Sequence, residues 1–126
     1  MTQEGKDLII KDLCSRLPYG VMLETDNVFP QKLEGIAFDK DTFLISVSDG
    51  AFTLDWMTCK PYLYPLSSMT KEQMEEYAHI LVMSGNLDYS QLLGMTVEDW
   101  FNKNHFDFRG LIQKGLAKDA TGLNIY

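Results

Sequence analysis

The residues best suited to chemistry lie together in the segment His105-Phe106-Asp107-Phe108-Arg109-Gly110. In extended backbone, His105, Asp107 and Arg109 would share one face, because successive side chains alternate between faces. A histidine beside a carboxylate can act as a general base, and a nearby arginine can hold a phosphate or carboxylate in a fork. One alternative is therefore a small hydrolase or phosphate-handling enzyme that uses these three residues.

The same segment has a structural interpretation, which we favour. In that interpretation the two phenylalanines anchor a corner of the fold, while Asp107 and Arg109 hold backbone groups or cap a following short helix. No glycine-rich phosphate loop, paired-histidine helix or nucleophile elbow accompanies them in the sequence. We therefore assign no catalytic residue, no metal ligand and no cofactor, and we favour a protein that is not an enzyme.

The candidate binding residues are four aromatic residues, the only two arginines of the chain, and His105 and Asp107 from the segment above. Tyrosine, tryptophan and arginine are enriched at the energetic centres of protein interfaces. Tyrosine and tryptophan also fill protein cores, so the sequence leaves open whether they are buried or presented. The complete set of candidate ligand-binding or partner-binding residues is Arg16, Tyr19, Trp56, Tyr62, Tyr64, His105, Asp107 and Arg109.

Charge narrows the class of partner. The 126 residues include 11 Lys and Arg against 18 Asp and Glu, a formal net charge of −7. Direct binding to DNA or RNA is not expected, because such proteins usually carry a basic face. A further alternative is an acidic mimic of a nucleic-acid backbone that binds a basic partner.

The apolar runs are too short for a membrane helix, and the first residues lack a signal-peptide pattern, which predicts a cytoplasmic protein with reduced thiols.

The first element that must position these residues is a helix at residues 3–17, where apolar residues recur at i, i+3, i+4 and i+7. On this pattern Cys14 lies on the buried stripe as a small core residue, and Asp12 lies off it. Arg16 is a cation that suits the carboxyl end of the helix dipole. Pro18 ends the helix.

A period of two then predicts about four antiparallel strands in a meander, at residues 21–24, 31–38, 42–48 and 52–57. The pair Asp49-Gly50 is a strong signal for a hairpin turn. The segment 60–66 contains two prolines and is expected to be an edge strand or a crossover.

Two capped helices follow the strands. Thr70 and Gln73 form a capping box at the start of the first, and Thr96 caps the second, which turns Trp100 and Phe101 inward. The buried stripe of the first of these helices is expected to comprise Met74, Tyr77, Ala78 and Leu81. A loop at residues 86–94 joins the two helices.

The chain is thus expected to be a single domain, residues 1–126, of the α+β class. It would have an N-terminal helix, a small antiparallel sheet and C-terminal helices packed on one face. One more helical turn is expected at residues 106–112, closed by Gly115, and the tail from Thr121 to Tyr126 is apolar enough to dock.

Three stretches carry a resemblance to other proteins. They are DLCSRLPYGV at 12–21, KPYL with PLSSMT at 60–70, and WF, NHFDFRGLI and GLA within 100–117. In this order they resemble short uncharacterised proteins of gut Bacteroidetes, their phages and mobile elements. The resemblance implies a bacterial or phage cytoplasm and an accessory gene, and it carries over no catalytic or binding residue.

The function that the sequence favours is a small acidic, non-enzymatic module that binds another protein, as a phage or mobile-element accessory factor. Its contacts would come from exposed aromatic residues with Arg16 and Arg109 nearby, on an apolar patch rimmed by polar groups. The small enzyme and the acidic mimic remain as the alternatives.

Overall fold

The computed structural model describes residues 3–25, 29–39, 42–47, 53–55, 59–84 and 96–126. The fold is α+β, as predicted. The helices are α1 (Gln3–Arg16), α2 (Lys71–Ser84) and α3 (Val97–Lys103), with short 3-10 helices at Leu17–Tyr19 and Leu66–Ser68. The strands are β1 (Met22–Glu24), β2 (Gln31–Asp39), β3 (Thr42–Val47), β4 (Thr53–Asp55), β5 (Lys60–Leu63) and β6 (Lys118–Asp119). The predicted Asp49-Gly50 turn, Trp56 and the predicted loop at 86–94 lie outside the described residues.

The strands of the described residues form one sheet in the order β4-β3-β2-β1-β5-β6. Neighbouring strands pair antiparallel, as predicted for a meander, except that β5 and β6 are parallel. The predicted edge position of segment 60–66 is wrong, because β5 lies between β1 and β6. Pro61, which has no N–H to donate, lies opposite Leu23 at the end of the β1 pairing and one residue before the β6 pairing begins at Tyr62.

Helix α1 packs against the sheet through Ile9 and Leu13, which join the main core with strand residues such as Leu23 and Ile45. The predicted buried stripe is partly wrong, because Cys14 is exposed while Asp12 and Arg16 are fully buried. The periodicity counts only apolar residues, and here a charged pair occupies the inward face of the last turn.

The exposure of Cys14 and the burial of Cys59 predict different reactivities for the two thiols. We expect an alkylating reagent to label Cys14 in the folded protein and to spare Cys59, which is buried. Partial burial raises the pKa of the Cys14 thiol, so the reaction is best run in mildly alkaline buffer. Peptide mass spectrometry reads the sites, and denatured protein labelled at both thiols is the control. Equal labelling of both cysteines in the folded protein would contradict the predicted burial.

A second, aromatic core joins α2 and α3, and both predicted caps form. Its buried residues are Ile80, Trp100, Phe101 and Phe106. Thr70 and Gln73 exchange backbone-to-side-chain hydrogen bonds of 2.9 and 3.1 Å, and Thr96 and Asp99 form the second capping box. Trp100 and Phe101 face inward as predicted.

The predicted buried stripe of α2 is wrong for three of its four residues. Met74, Ala78 and Leu81 are exposed, while Tyr77 is half-buried and Ile80, which was not in the stripe, is buried. The Tyr77 ring lies 5.2 Å from that of Phe101, between ring centres. Packing against the aromatic residues of α3 therefore selects the face of α2 that turns inward.

The carboxyl-terminal part of the chain adds β6 to the sheet beside β5 and packs its last residue against β1 and β5. Residues 111–115 form hydrogen-bonded turns rather than a regular helix, and Gly115 ends them with φ of 73°. The tail docks through Tyr126, whose hydroxyl accepts a bond from the Met22 N–H (2.9 Å) and donates to the Tyr62 carbonyl (2.6 Å), whereas Leu123 is exposed. This hydroxyl links β1 and β5 at the point where their direct pairing stops.

Candidate functional site

Both arginines of the chain meet one carboxylate, that of Asp12. Arg16 Nε donates to Asp12 Oδ2 at 2.9 Å, and Arg109 Nη1 donates to Asp12 Oδ1 at 2.7 Å. The side chains of Asp12 and Arg16 are fully buried, and that of Arg109 is 10% exposed. We call these three residues the Asp12 network. Arginine suits this position because its planar fork is more weakly hydrated than an ammonium and keeps its charge when buried.

The Asp12 network ties α1 to the segment that follows α3. Asp12 and Arg16 are one helical turn apart, and Arg16 Nη2 also donates to the Phe106 carbonyl at 2.6 Å. The Phe108 ring lies under both cations, with its centre 4.2 Å from the guanidinium carbon of Arg109 and 5.7 Å from that of Arg16. Because an aromatic face attracts a desolvated cation, the ring adds to the stabilisation of the two arginines.

The neighbouring carboxylate, Asp107, is committed to the backbone. Its Oδ1 accepts a hydrogen bond from the Leu111 N–H at 2.8 Å, and its Oδ2 accepts one from the Ile112 N–H at 2.9 Å. Backbone donors at the start of a turn stabilise a carboxylate as they do at a helix N-terminus. Asp107 therefore holds the turns at 111–115 in place.

His105 lies against the C-terminal tyrosine. Its φ of 62° is left-handed, and its ring stacks on that of Tyr126 with 3.6 Å between centres and 11° between planes. The His105 carbonyl accepts a bond from the Tyr64 N–H at 2.8 Å, which extends β5 toward Phe106 in a parallel bridge. Burial, with the Arg16 cation as a second cause, lowers the pKa of His105 from 6.5 to about 4.

The lowered pKa predicts a pH dependence of stability. The folded state keeps His105 neutral while the unfolded chain binds a proton below pH 6.5, so this stability is present above pH 6.5 and is lost as the pH falls toward 4. One pKa unit corresponds to about 1.4 kcal/mol. Since the ring is partly exposed, we expect a loss of about 1–2 kcal/mol after solvent screening.

Urea unfolding at a series of pH values measures this loss. The variant His105→Asn, which accepts a left-handed backbone, should remove this part of the pH dependence. The variant His79→Asn, at an exposed position on α2, should retain it. An unchanged pH profile in His105→Asn would show that another group is responsible.

The three residues of the hydrolase alternative have separate partners. Arg109 binds Asp12, Asp107 binds backbone, and His105 stacks on Tyr126. An open concavity of about 370 Å³ near the 3-10 helix at 66–68 is lined by Asp107, whereas neither His105 nor Arg109 is among its lining residues. This arrangement does not supply the convergent site that the hydrolase alternative requires.

The other candidate binding residues from the sequence analysis differ in how far they are exposed to solvent. Arg16 is fully buried, so its guanidinium is not presented to a partner. Tyr64 packs against the aromatic core of α2 and α3, and its ring lies 5.8 Å from that of Tyr126. Tyr19 and Tyr62 are half-buried, and burial together with Glu24 raises the pKa of Tyr62. Trp56 lies outside the described residues.

The exposed apolar surface lies instead on α2. Val82 is 72% exposed, Met74 54% and Leu81 46%, and Ala78 on the same side is also exposed. We call Met74, Ala78, Leu81 and Val82 the α2 stripe. The sequence pattern placed three of these residues inward together with Tyr77, because it could not show that the buried face of α2 would centre on Ile80 instead.

Comparisons of the chain with protein-family models, curated proteins and solved structures found no match. The described residues contain no group of three or more His, Cys, Asp or Glu placed to hold a metal ion. In the same part of the chain, no helix has both the length and the apolar character needed to cross a membrane. The fold and site therefore define an α+β domain with a buried ion-pair network and an exposed apolar helix face.

Proposed function

We propose that this protein is a non-enzymatic module that binds another protein through the α2 stripe. The observation that carries the proposal is the exposure of Met74 and Val82, at 54% and 72%, on one face of the same helix. Single exposed apolar residues are normal on a protein surface, but contiguous apolar patches mark interaction sites. The stripe places four apolar residues within about three helical turns.

The use of the polar side chains also supports a binding role. Asp12, Arg16, Arg109 and Asp107 are joined to each other or to backbone groups, which is a structural use of residues that otherwise serve catalysis. The resemblance described above adds the setting: a bacterial or phage cytoplasm, in which the protein would act as an accessory factor. An established activity is not part of that resemblance.

The experiment compares capture by wild-type protein and by the double variant Met74→Glu/Val82→Glu. Tagged proteins are incubated in lysate of a gut Bacteroidetes bacterium, crosslinked and analysed by quantitative mass spectrometry. We expect a captured protein whose crosslinks map to α2 and whose recovery falls at least about tenfold in the variant, since charges buried at an interface cost several kcal/mol.

The matched control is Phe38→Glu, which charges an exposed aromatic residue on β2, away from the α2 stripe. This variant should capture the partner as wild type does. If Phe38→Glu loses the partner and the α2 variant keeps it, binding uses the sheet and the proposal is wrong.

A further inference from the structure

We propose that the partner presents an amphipathic helix whose polar flank carries lysine and arginine. This inference rests on the proposed function and names the chemistry of its partner. It follows from the shape of the α2 stripe and from the charges beside it.

The shape of the α2 stripe suits a helix. Met74, Ala78 and Val82 recur at i, i+4 and i+8, so they form a straight ridge about 12 Å long on the surface of α2. Ridges of this spacing pack into the grooves of a second helix. An amphipathic helix that lays its apolar face on such a surface is a recurring mode of peptide recognition.

The charges beside the α2 stripe are acidic on the side that faces solvent. At about 100° per residue, Glu75 and then Glu72 follow Val82 around the helix, with His79 between them. Both glutamates are exposed. On the opposite flank Tyr77 and Ile80 face the aromatic core, so that side is closed by α3. A partner therefore meets the apolar residues with the Glu75 carboxylate directly beside them, and Glu72 farther around the helix.

One cation lies near this surface. Lys71, at the amino end of α2, is exposed and precedes Met74 by less than one turn. It lies at the same end of the ridge as Glu72, so two carboxylates face one cation there, and Glu75 is the charge beside Met74. The net charge of −7 strengthens the same preference at long range, because it attracts basic partners and raises their association rate.

A second copy of the chain fits this surface less well than a basic helix. Two α2 stripes packed together would bring two acidic edges and two chains of charge −7 into contact. Like charges juxtaposed at an interface oppose association. The charge pattern therefore favours a partner of opposite sign over self-association.

The test uses two synthetic 18-residue helical peptides with the same leucine face, one flanked by lysine and the other by glutamate. Each peptide is titrated into the full-length protein labelled with 15N, and the shifted amide signals and Kd are measured. We expect the lysine peptide to shift the signals of α2 and to bind at least about tenfold more tightly than the glutamate peptide. Met74→Glu/Val82→Glu should abolish the shifts.

The decisive comparison separates local charge from total charge. The double variant Glu72→Lys/Glu75→Lys should raise the Kd for the lysine peptide at least about tenfold. The double variant Glu4→Lys/Glu34→Lys makes the same change in net charge at exposed positions on α1 and β2. Its Kd for the lysine peptide should stay within about threefold of the wild-type value. Glu4 matches Glu72 in lying in the first turn of its helix, so effects on the helix dipole are balanced.

Equal binding of both peptides, or equal weakening of binding by the two charge variants, would overturn the inference. A dimer in sedimentation that Met74→Glu/Val82→Glu dissolves would also overturn it. So would a large fall in the melting temperature of that variant, which would show that the chain itself covers the stripe. If neither peptide binds but a lysate protein still crosslinks to α2, this inference fails while the proposed function stands. If the stripe captures nothing, both fail.

Discussion

Replacement of Asp12 by alanine is expected to lower the free energy of unfolding by about 3–5 kcal/mol, because it leaves two arginines without their shared carboxylate. Arg16 is fully buried and Arg109 nearly so, which means that water cannot replace the lost partner without opening the structure. Domains of this size are stable by only about 5–15 kcal/mol, so the variant should be near the limit of folding. Urea unfolding followed by circular dichroism gives the value.

Two further variants make this result interpretable. Asp7→Ala removes an exposed carboxylate from the same helix and should change stability by less than about 0.5 kcal/mol. Asp12→Leu/Arg16→Met/Arg109→Met replaces the whole network by apolar side chains and should recover most of the loss, since no unpaired charge remains. A cost below about 1 kcal/mol for Asp12→Ala would mean that the carboxylate is exposed to water in solution.

Replacement of Trp100 by alanine is expected to cost about 3–5 kcal/mol, because it opens a large cavity in the aromatic core. Trp100 is 1% exposed, and its ring stacks on that of Phe106 with 5.6 Å between centres. Its indole N–H also donates to Glu76 Oε1 on α2 at 2.8 Å. The variant therefore loses both the packing between α2 and α3 and the bond that orients α2.

Two milder variants separate these contributions. Trp100→Phe keeps an aromatic ring but loses the donor, and should cost about 1–3 kcal/mol. Glu76→Gln keeps an acceptor for the indole and should cost less than about 1 kcal/mol. Thermal unfolding of the three variants gives the order. If Trp100→Ala melts within a few degrees of wild type, the aromatic core does not hold α2 as the structure indicates.

Local patterns predicted the elements well. The helix at the amino terminus, the antiparallel strands before residue 57, the capping box at Thr70 and the cap at Thr96 are predicted from side chains within four residues of each other. These features depend on backbone groups and neighbouring residues, so a short window of sequence contains the interactions that stabilise them.

The errors concern which face of an element is buried. The sequence pattern predicts that Asp12 lies off the buried stripe of α1 and that three residues of the α2 stripe face inward, although Asp12 is buried and those three residues are exposed. A signal for the Asp12 network was present, since Asp12 and Arg16 have the i, i+4 spacing of a helical ion pair. The chain has 11 basic residues, and all but two are lysines. Arginine suits a buried ion pair better than lysine does, so the two arginines were a second signal.

The sequence by itself determined the class of the fold, the positions of most helices and strands, and the acidic net charge. Only the tertiary structure decided that Arg109 reaches Asp12, that β6 pairs with β5, and that α2 buries Ile80 while Met74 and Val82 face solvent. The reason is physical: periodicity describes one element, whereas burial is decided by the partner that arrives from elsewhere in the chain. For α2 that partner is the aromatic group on and after α3, and for α1 it is the sheet together with Arg109, which binds Asp12.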